Sequence, residues 1–162
     1  MRGSMCLKAR SAVCHNQAIL AETEFQLNGA LAELERLEAE ISSFCQSCAL
    51  SGEVAFDLNL ALEELFTNAV RHGGCEGMDD AVHIRLRRQT GGVRVEFADR
   101  GRAFDPATAP APNLDAPRNE RRPGGLGIHL VRQLMQELRY ERAGEWNRIT
   151  MWRPAPEAAG QS

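Results

Sequence analysis

Asp57-Leu-Asn-Leu-Ala-Leu-Glu-Glu-Leu-Phe-Thr-Asn-Ala-Val-Arg-His-Gly73 is the stretch on which the reading of this chain turns. Leu58, Leu62, Leu65 and Ala69 recur at helical period, so the segment is an amphipathic helix. Ser51 is a good N-cap and Gly73-Gly74 a stop, which places the helix from about Glu53 to His72. Glu64 and Asn68 stand four residues apart, side by side on a face shared with Asp57, Ala61 and Arg71. An isolated pair of this kind is ordinarily surface decoration. With the segments that follow it, a carboxylate beside a carboxamide can serve a metal-bound phosphate. Glu63 points about 100 degrees away and is structural or solvent-facing.

Outward from this helix the pattern alternates between strands and helices. Thr23 to Leu27 suits a short first strand, and Ala30 to Leu50 carries a helical stripe with Glu33, Glu35, Glu38 and Glu40 mostly facing away as a solvated acidic face. Val82, Ile84 and Leu86 alternate with polar residues, Thr90-Gly91-Gly92 turns the chain, and Val93, Val95 and Phe97 alternate again up to Asp99. Residues 106–123 hold five of the seven prolines and no periodicity, the mark of a long functional loop such as a lid. A helix is expected from about Gly127 to Glu137. A closing hairpin follows, Leu138 to Arg142 and Arg148 to Arg153, around Gly144 and Asn147. This order implies an α+β two-layer sandwich, a mainly antiparallel mixed sheet with helices on one face. Residues 1–22 read as a tail that begins Met-Arg-Gly-Ser, either native or an expression leader; 23–153 form the domain and 154–162 a second tail.

Composition narrows the function. A length of 162 residues with 43% hydrophobic content is one domain with a sizeable core, and a net charge of -3 argues against a nucleic-acid footprint. No apolar run approaches the roughly 18 residues needed to span a bilayer, and no signal peptide opens the chain, so the expected address is cytoplasmic. Five cysteines at irregular spacing make a disulfide framework improbable, and Cys45-x-x-Cys48 lacks a second pair for zinc. Cys75, in a glycine-rich loop, is the one thiol whose oxidation would matter. Lys8 is the only lysine, which excludes a P-loop and the strand lysine of eukaryotic-type protein kinases. Any bound nucleotide must be held by arginines, backbone amides and a metal.

Two glycine-containing segments complete the pattern. Asp99-Arg-Gly-Arg-Ala-Phe-Asp-Pro106 follows a strand, where Gly101 lets the backbone approach a ligand without a Cβ. Gly124, Gly125, Leu126 and Gly127 open a helix whose free amides and positive dipole end favour phosphate.

With the Glu64/Asn68 helix, these segments resemble the N, G1 and G2 boxes of the GHKL ATPases (gyrase, heat-shock chaperone, histidine kinase, mismatch-repair protein), which share the Bergerat ATP-binding fold. Glu-Leu-Phe-Thr-Asn-Ala-Val and Gly-Gly-Leu-Gly-Ile-His-Leu-Val-Arg-Gln-Leu-Met are most similar to the anti-sigma factor serine/threonine kinases. The resemblance covers roughly Thr23 to Arg153. It implies ATP and Mg²⁺, with Asn68 the metal ligand, Asp99 accepting from the adenine amino group, and Phe104-Asp105-Pro106 extending the match. It gives Glu64 to a position where the anti-sigma kinases carry glutamate and histidine kinases usually asparagine; a general base there accepts the proton of an attacking hydroxyl. Arg121 or Arg122 is expected at the γ-phosphate, Arg71 and His72 near the same place, and Thr150 behind the adenine. Arg102-Ala103-Phe104 departs from the family, which often has another glycine there. The partners implied are a sigma factor and an anti-anti-sigma (STAS-type) protein, with a homodimer as the assembly. The alternatives are a non-catalytic ATP-binding regulatory module and a detached catalytic domain of a histidine kinase.

Overall fold

The computed structural model describes residues 18–110 and 125–156. Five strands form one sheet: β1 (Ile19–Leu27), β2 (Val82–Gln89), β3 (Gly92–Asp99), β4 (Gln136–Ala143) and β5 (Trp146–Pro154), in the order β1-β2-β3-β5-β4. Every neighbouring pair is antiparallel, so the mixed pairing expected from the sequence is absent among the described residues. A 3₁₀ turn (Leu31–Glu33) leads into α1 (Leu34–Ser47), followed by α2 (Gly52–Arg71) and, after the long loop, α3 (Gly125–Leu134).

Strand alternation sorts the sheet into two unlike faces. Val82, Ile84, Leu86, Val93, Val95, Phe97, Ile149 and Met151 point inward, all at most 4% exposed. Against them lie Leu58, Leu62, Leu65 and Phe66 of α2, with Leu37, Ile41 and Phe44 of α1 and Ile128 and Val131 of α3. Each fully buried leucine or phenylalanine is worth about 1.5–3 kcal/mol, so α2 is held by this layer. Its cap fixes where it starts: the Ser51 hydroxyl accepts from Val54 N at 3.3 Å. The outer face is a lattice of ion pairs, Arg85–Glu24 and Arg87–Glu96 at 2.6 Å each and Arg94–Glu137 at 2.9 Å.

Several boundaries differ from the sequence reading. β1 starts at Ile19, inside the stretch read as tail. α1 starts at Leu34, after the 3₁₀ turn. α3 ends at Leu134 rather than near Glu137, because Gln136 is captured by pairing with Trp152; Glu137 then takes φ 51° at an irregularity of the β4 register. Asn147 belongs to β5, and the hairpin turn is Gly144-Glu145, with Gly144 at φ 63°. Cys45 and Cys75 are buried. Burial, with Cys48 nearby, pushes the Cys45 thiol up to about 11. Burial, with Asp99 nearby, pushes that of Cys75 up to about 11 as well. Cys75 is therefore a protonated core thiol, packed as a small hydrophobe. No helix among the described residues is long and apolar enough to cross a membrane.

Candidate functional site

Asp99 is the last residue of β3, on the inward phase of the strand and 7% exposed. The register places it directly opposite Asn147 of β5. Its Oδ1 accepts from Gly101 N and from Asn147 Nδ2, each at 2.8 Å. Oδ2 accepts from no described residue. Burial raises the carboxyl above the ordinary carboxylate range, while Asn147, Gly101 and the Arg142 charge pull the other way.

The loop after β3 is tied to the end of α2. Arg102 N donates to Gly73 O at 2.8 Å, and the Asn68 carbonyl accepts from His72 N at 2.9 Å and Gly73 N at 2.8 Å. Glycine is required at 101: a Cβ there would come within 2.7 Å of Asp99 Oδ1 and 3.0 Å of Gly73 O. The loop thus presents backbone at a place where any other residue would fill the space.

Glu64 and Asn68 share a face of α2 as the spacing demands, but this face is half-buried rather than solvent-facing. Asp57 and Ala61, a turn or two earlier, are buried. Glu64 lies against the first turn of α3, where a Cβ on Gly127 would stand 2.0 Å from Glu64 Oε2. Burial, and then the neighbouring Glu63, raise the Glu64 carboxyl above its ordinary value. That brings it toward the range in which a carboxylate exchanges protons near neutrality. One turn on, Asn68 Nδ2 is buried with no hydrogen-bond partner. An orphaned buried amide nitrogen costs about 1–3 kcal/mol, so the site fits an acceptor, such as a phosphate oxygen or a metal-bound water, that the chain itself does not supply, while the amide oxygen is the atom that could ligand a cation.

The remaining expectations divide. Leu126 is 56% exposed at the start of α3, beside Gly125. Arg71 and His72 are exposed at the end of α2, and Phe104 is 49% exposed on the loop. Arg121, Arg122, Gly124 and most of the lid lie outside the described residues. Thr150 does not join the site: it pairs with Glu96 and Arg139 in the outward phase of β5, on the face opposite the helices. The alternation of Ile149 and Met151 carried that information. The same phase reaches Asn147, which the sequence reading assigned to the turn. Arg132 of α3 was also missed; its guanidinium donates to Pro106 O, from Nε at 2.7 Å and also from Nη2.

An acceptor carboxylate, a glycine-lined backbone loop, a helix N-terminus and an orphaned amide beside a carboxylate thus gather at one end of the sandwich. Asp99, Gly101 and the loop would take a nucleobase, the start of α3 its phosphates, and Asn68 a divalent cation.

Residues 27–153 match the histidine kinase-like ATPase domain family. The serine/threonine-protein kinase BtrW of Bordetella bronchiseptica is 36% identical over 100 residues, 61% of this chain and 70% of that protein. A solved structure of the RsbU and RsbW domains of Rv1364c from Mycobacterium tuberculosis superposes with a TM-score of 0.63 at 16% identity. The match takes in 86% of this chain but only 34% of that one, and it is a likeness of fold. The chain belongs to the histidine kinase-like ATPase domain family, whose ATP-binding fold it shares.

Proposed function

We propose that the chain is an ATP-dependent serine/threonine protein kinase of the anti-sigma factor type, which binds a sigma factor and phosphorylates a serine or threonine on a STAS-type anti-anti-sigma partner. The observation that carries the reading is the Glu64 carboxylate held against Gly127 at the opening of α3. A proton acceptor stands where the helix amides would receive the phosphates. Similarity to a protein named as a serine/threonine kinase supports the same reaction class. The assembly proposed is a homodimer in the cytoplasm.

In the reaction, the partner's hydroxyl oxygen attacks the γ-phosphorus, the bond from that phosphorus to the β–γ bridging oxygen breaks, and ADP leaves. Glu64 takes the hydroxyl proton, and its raised affinity for protons suits that role. Asp99 Oδ2 accepts from the adenine amino group, with Asn147 and Gly101 fixing the carboxylate. Asn68 would hold Mg²⁺, which when bound neutralises phosphate charge.

Glu64→Gln tests the proposal, because it preserves size while removing the base. The variant should bind ATP as the wild type does, yet transfer labelled γ-phosphate to a STAS-domain partner roughly a hundredfold more slowly or worse. Transfer at the wild-type rate would remove Glu64 from the chemistry. A wild type that binds ATP and partner but yields no acid-stable phosphoprotein would make the chain a binding module.

A further inference from the structure

The amide of Asn147 is 2% exposed, and its neighbours allow it one orientation. Oδ1 receives Tyr140 OH at 2.8 Å and Arg142 Nη1 at 2.9 Å, both donors. Nδ2 faces only acceptors: Asp99 Oδ1 at 2.8 Å, Arg102 O at 2.9 Å and Gly101 O at 3.4 Å. Turning the amide over would set its nitrogen against the donor-only Arg142 and its oxygen against the three acceptors, leaving buried groups unsatisfied. Asn147 can therefore only donate toward Asp99. Arg142 Nη1 also donates to Gly101 O at 2.7 Å, so the same guanidinium fixes the loop and the amide.

The consequence falls on Asp99. Two donors occupy its Oδ1, and Oδ2 has no hydrogen-bond partner among the described residues. We propose that Asn147 is a positioning residue for base recognition: clamped by Tyr140 and Arg142, it fixes Asp99 so that Oδ2 selects a purine with a 6-amino group over one with a 6-keto group. This rests on the nucleotide-site reading above and adds the layer behind it, drawn from β4 and β5. A 6-keto oxygen facing Oδ2 would be a second acceptor with no proton between them, whereas the 6-amino group supplies one. The merely structural alternative, in which Asn147 only ties the ends of β3 and β5 together, predicts loss of affinity without loss of selectivity.

Calorimetric titration of the full chain with ATP and with inosine triphosphate separates the two. The wild type should prefer ATP by about tenfold or more, the worth of a hydrogen bond to a charged group. Asn147→Leu, close in size but unable to donate, should bring the ATP-to-inosine ratio toward one. Tyr140→Phe removes a single donor to Oδ1 and should lower the ratio by a smaller factor in a folded protein, so it decides the matter if Asn147→Leu does not fold. Variants that keep the wild-type ratio, or that weaken both nucleotides equally, overturn the assignment while leaving the nucleotide site in place. So does a wild type that binds both nucleotides alike. A wild type that binds neither overturns the nucleotide reading itself, and this inference with it.

Discussion

Asp57 and Asp99 are both buried carboxylates of the inner layer, and β5 supplies the partner of each, yet the two are treated differently. Asp57 meets a guanidinium. Arg153 Nε and Nη2 reach its Oδ2 at 2.8 and 2.7 Å, and Nη2 also reaches Glu53 at 3.0 Å. Asp99 meets neutral N–H donors, from Asn147 and Gly101. Both side-chain partners lie on the inward phase of β5, six residues apart, so a single strand pairs one carboxylate with a charge and the other with an amide. A buried charge matched by an opposite charge is neutralised within the chain, whereas one steadied by neutral donors keeps its charge for a ligand.

Three experiments press on that contrast. The largest effect is expected at the charge-paired site. Asp57→Ala leaves the part-buried Arg153 with the exposed Glu53 and a backbone carbonyl as its partners and should reduce unfolding free energy by about 3 kcal/mol, read as a fall in the denaturant midpoint, with ATP affinity retained where the variant stays folded. A loss below about 1 kcal/mol would mean that the Asp57 pair is no stronger than a surface one, and the contrast would dissolve. Next comes Asp99→Asn, whose amide oxygen can keep both bonds to Oδ1 while an NH₂ group replaces the free acceptor. ATP affinity should drop about tenfold to a hundredfold, with the unfolding midpoint nearly unchanged. A midpoint that falls as far as that of Asp57→Ala would make Asp99 a structural residue too.

The smallest effect is on pH dependence. Because burial raises Asp99, the folded protein keeps its proton at a pH where the unfolded chain, with its aspartate near the ordinary 3.8, has lost it. Asp99 should therefore make stability fall as pH climbs from that value through the folded one. ATP affinity should rise over the same interval as Oδ2 becomes a free acceptor. Asp99→Asn should abolish both slopes, and a variant that retained them would assign the titration to another group.

Much of this was legible in the chain. The α2 stripe fixed the helix, and the shared face of Glu64 and Asn68 followed from spacing, since a helix leaves no freedom in which residues share a face; their place in a site rested on the glycine segments that come after them. Asp99 was legible because a hairpin of clear alternation ends on it. Asn147 was not, because an asparagine three residues after a glycine looks like part of the turn; only its phase with Ile149 and Met151 marks it as inward. That same phase excludes Thr150. The burial of the Glu64 face could not be read from α2 itself, because it depends on α3, some sixty residues later. The end of α3 at Leu134 escaped for a similar reason: pairing of Gln136 with Trp152 overrides local helical preference.

The glycines divide by what would resist a methyl group, and one of them stands apart in mutational tolerance. At Gly73 an added Cβ meets the Ala69 carbonyl at 2.6 Å, an obstacle that cannot step aside without disturbing α2. At Gly127 it meets the tip of Glu64, a flexible side chain that can swing away. Alanine at 127 would thus spare the fold while re-aiming the carboxylate. Positions 64 and 127 form a dependent pair: a side chain at one restricts what the other can do, and a laboratory lineage selected for folding alone would lose the orientation of the Glu64 carboxylate without any warning in its stability.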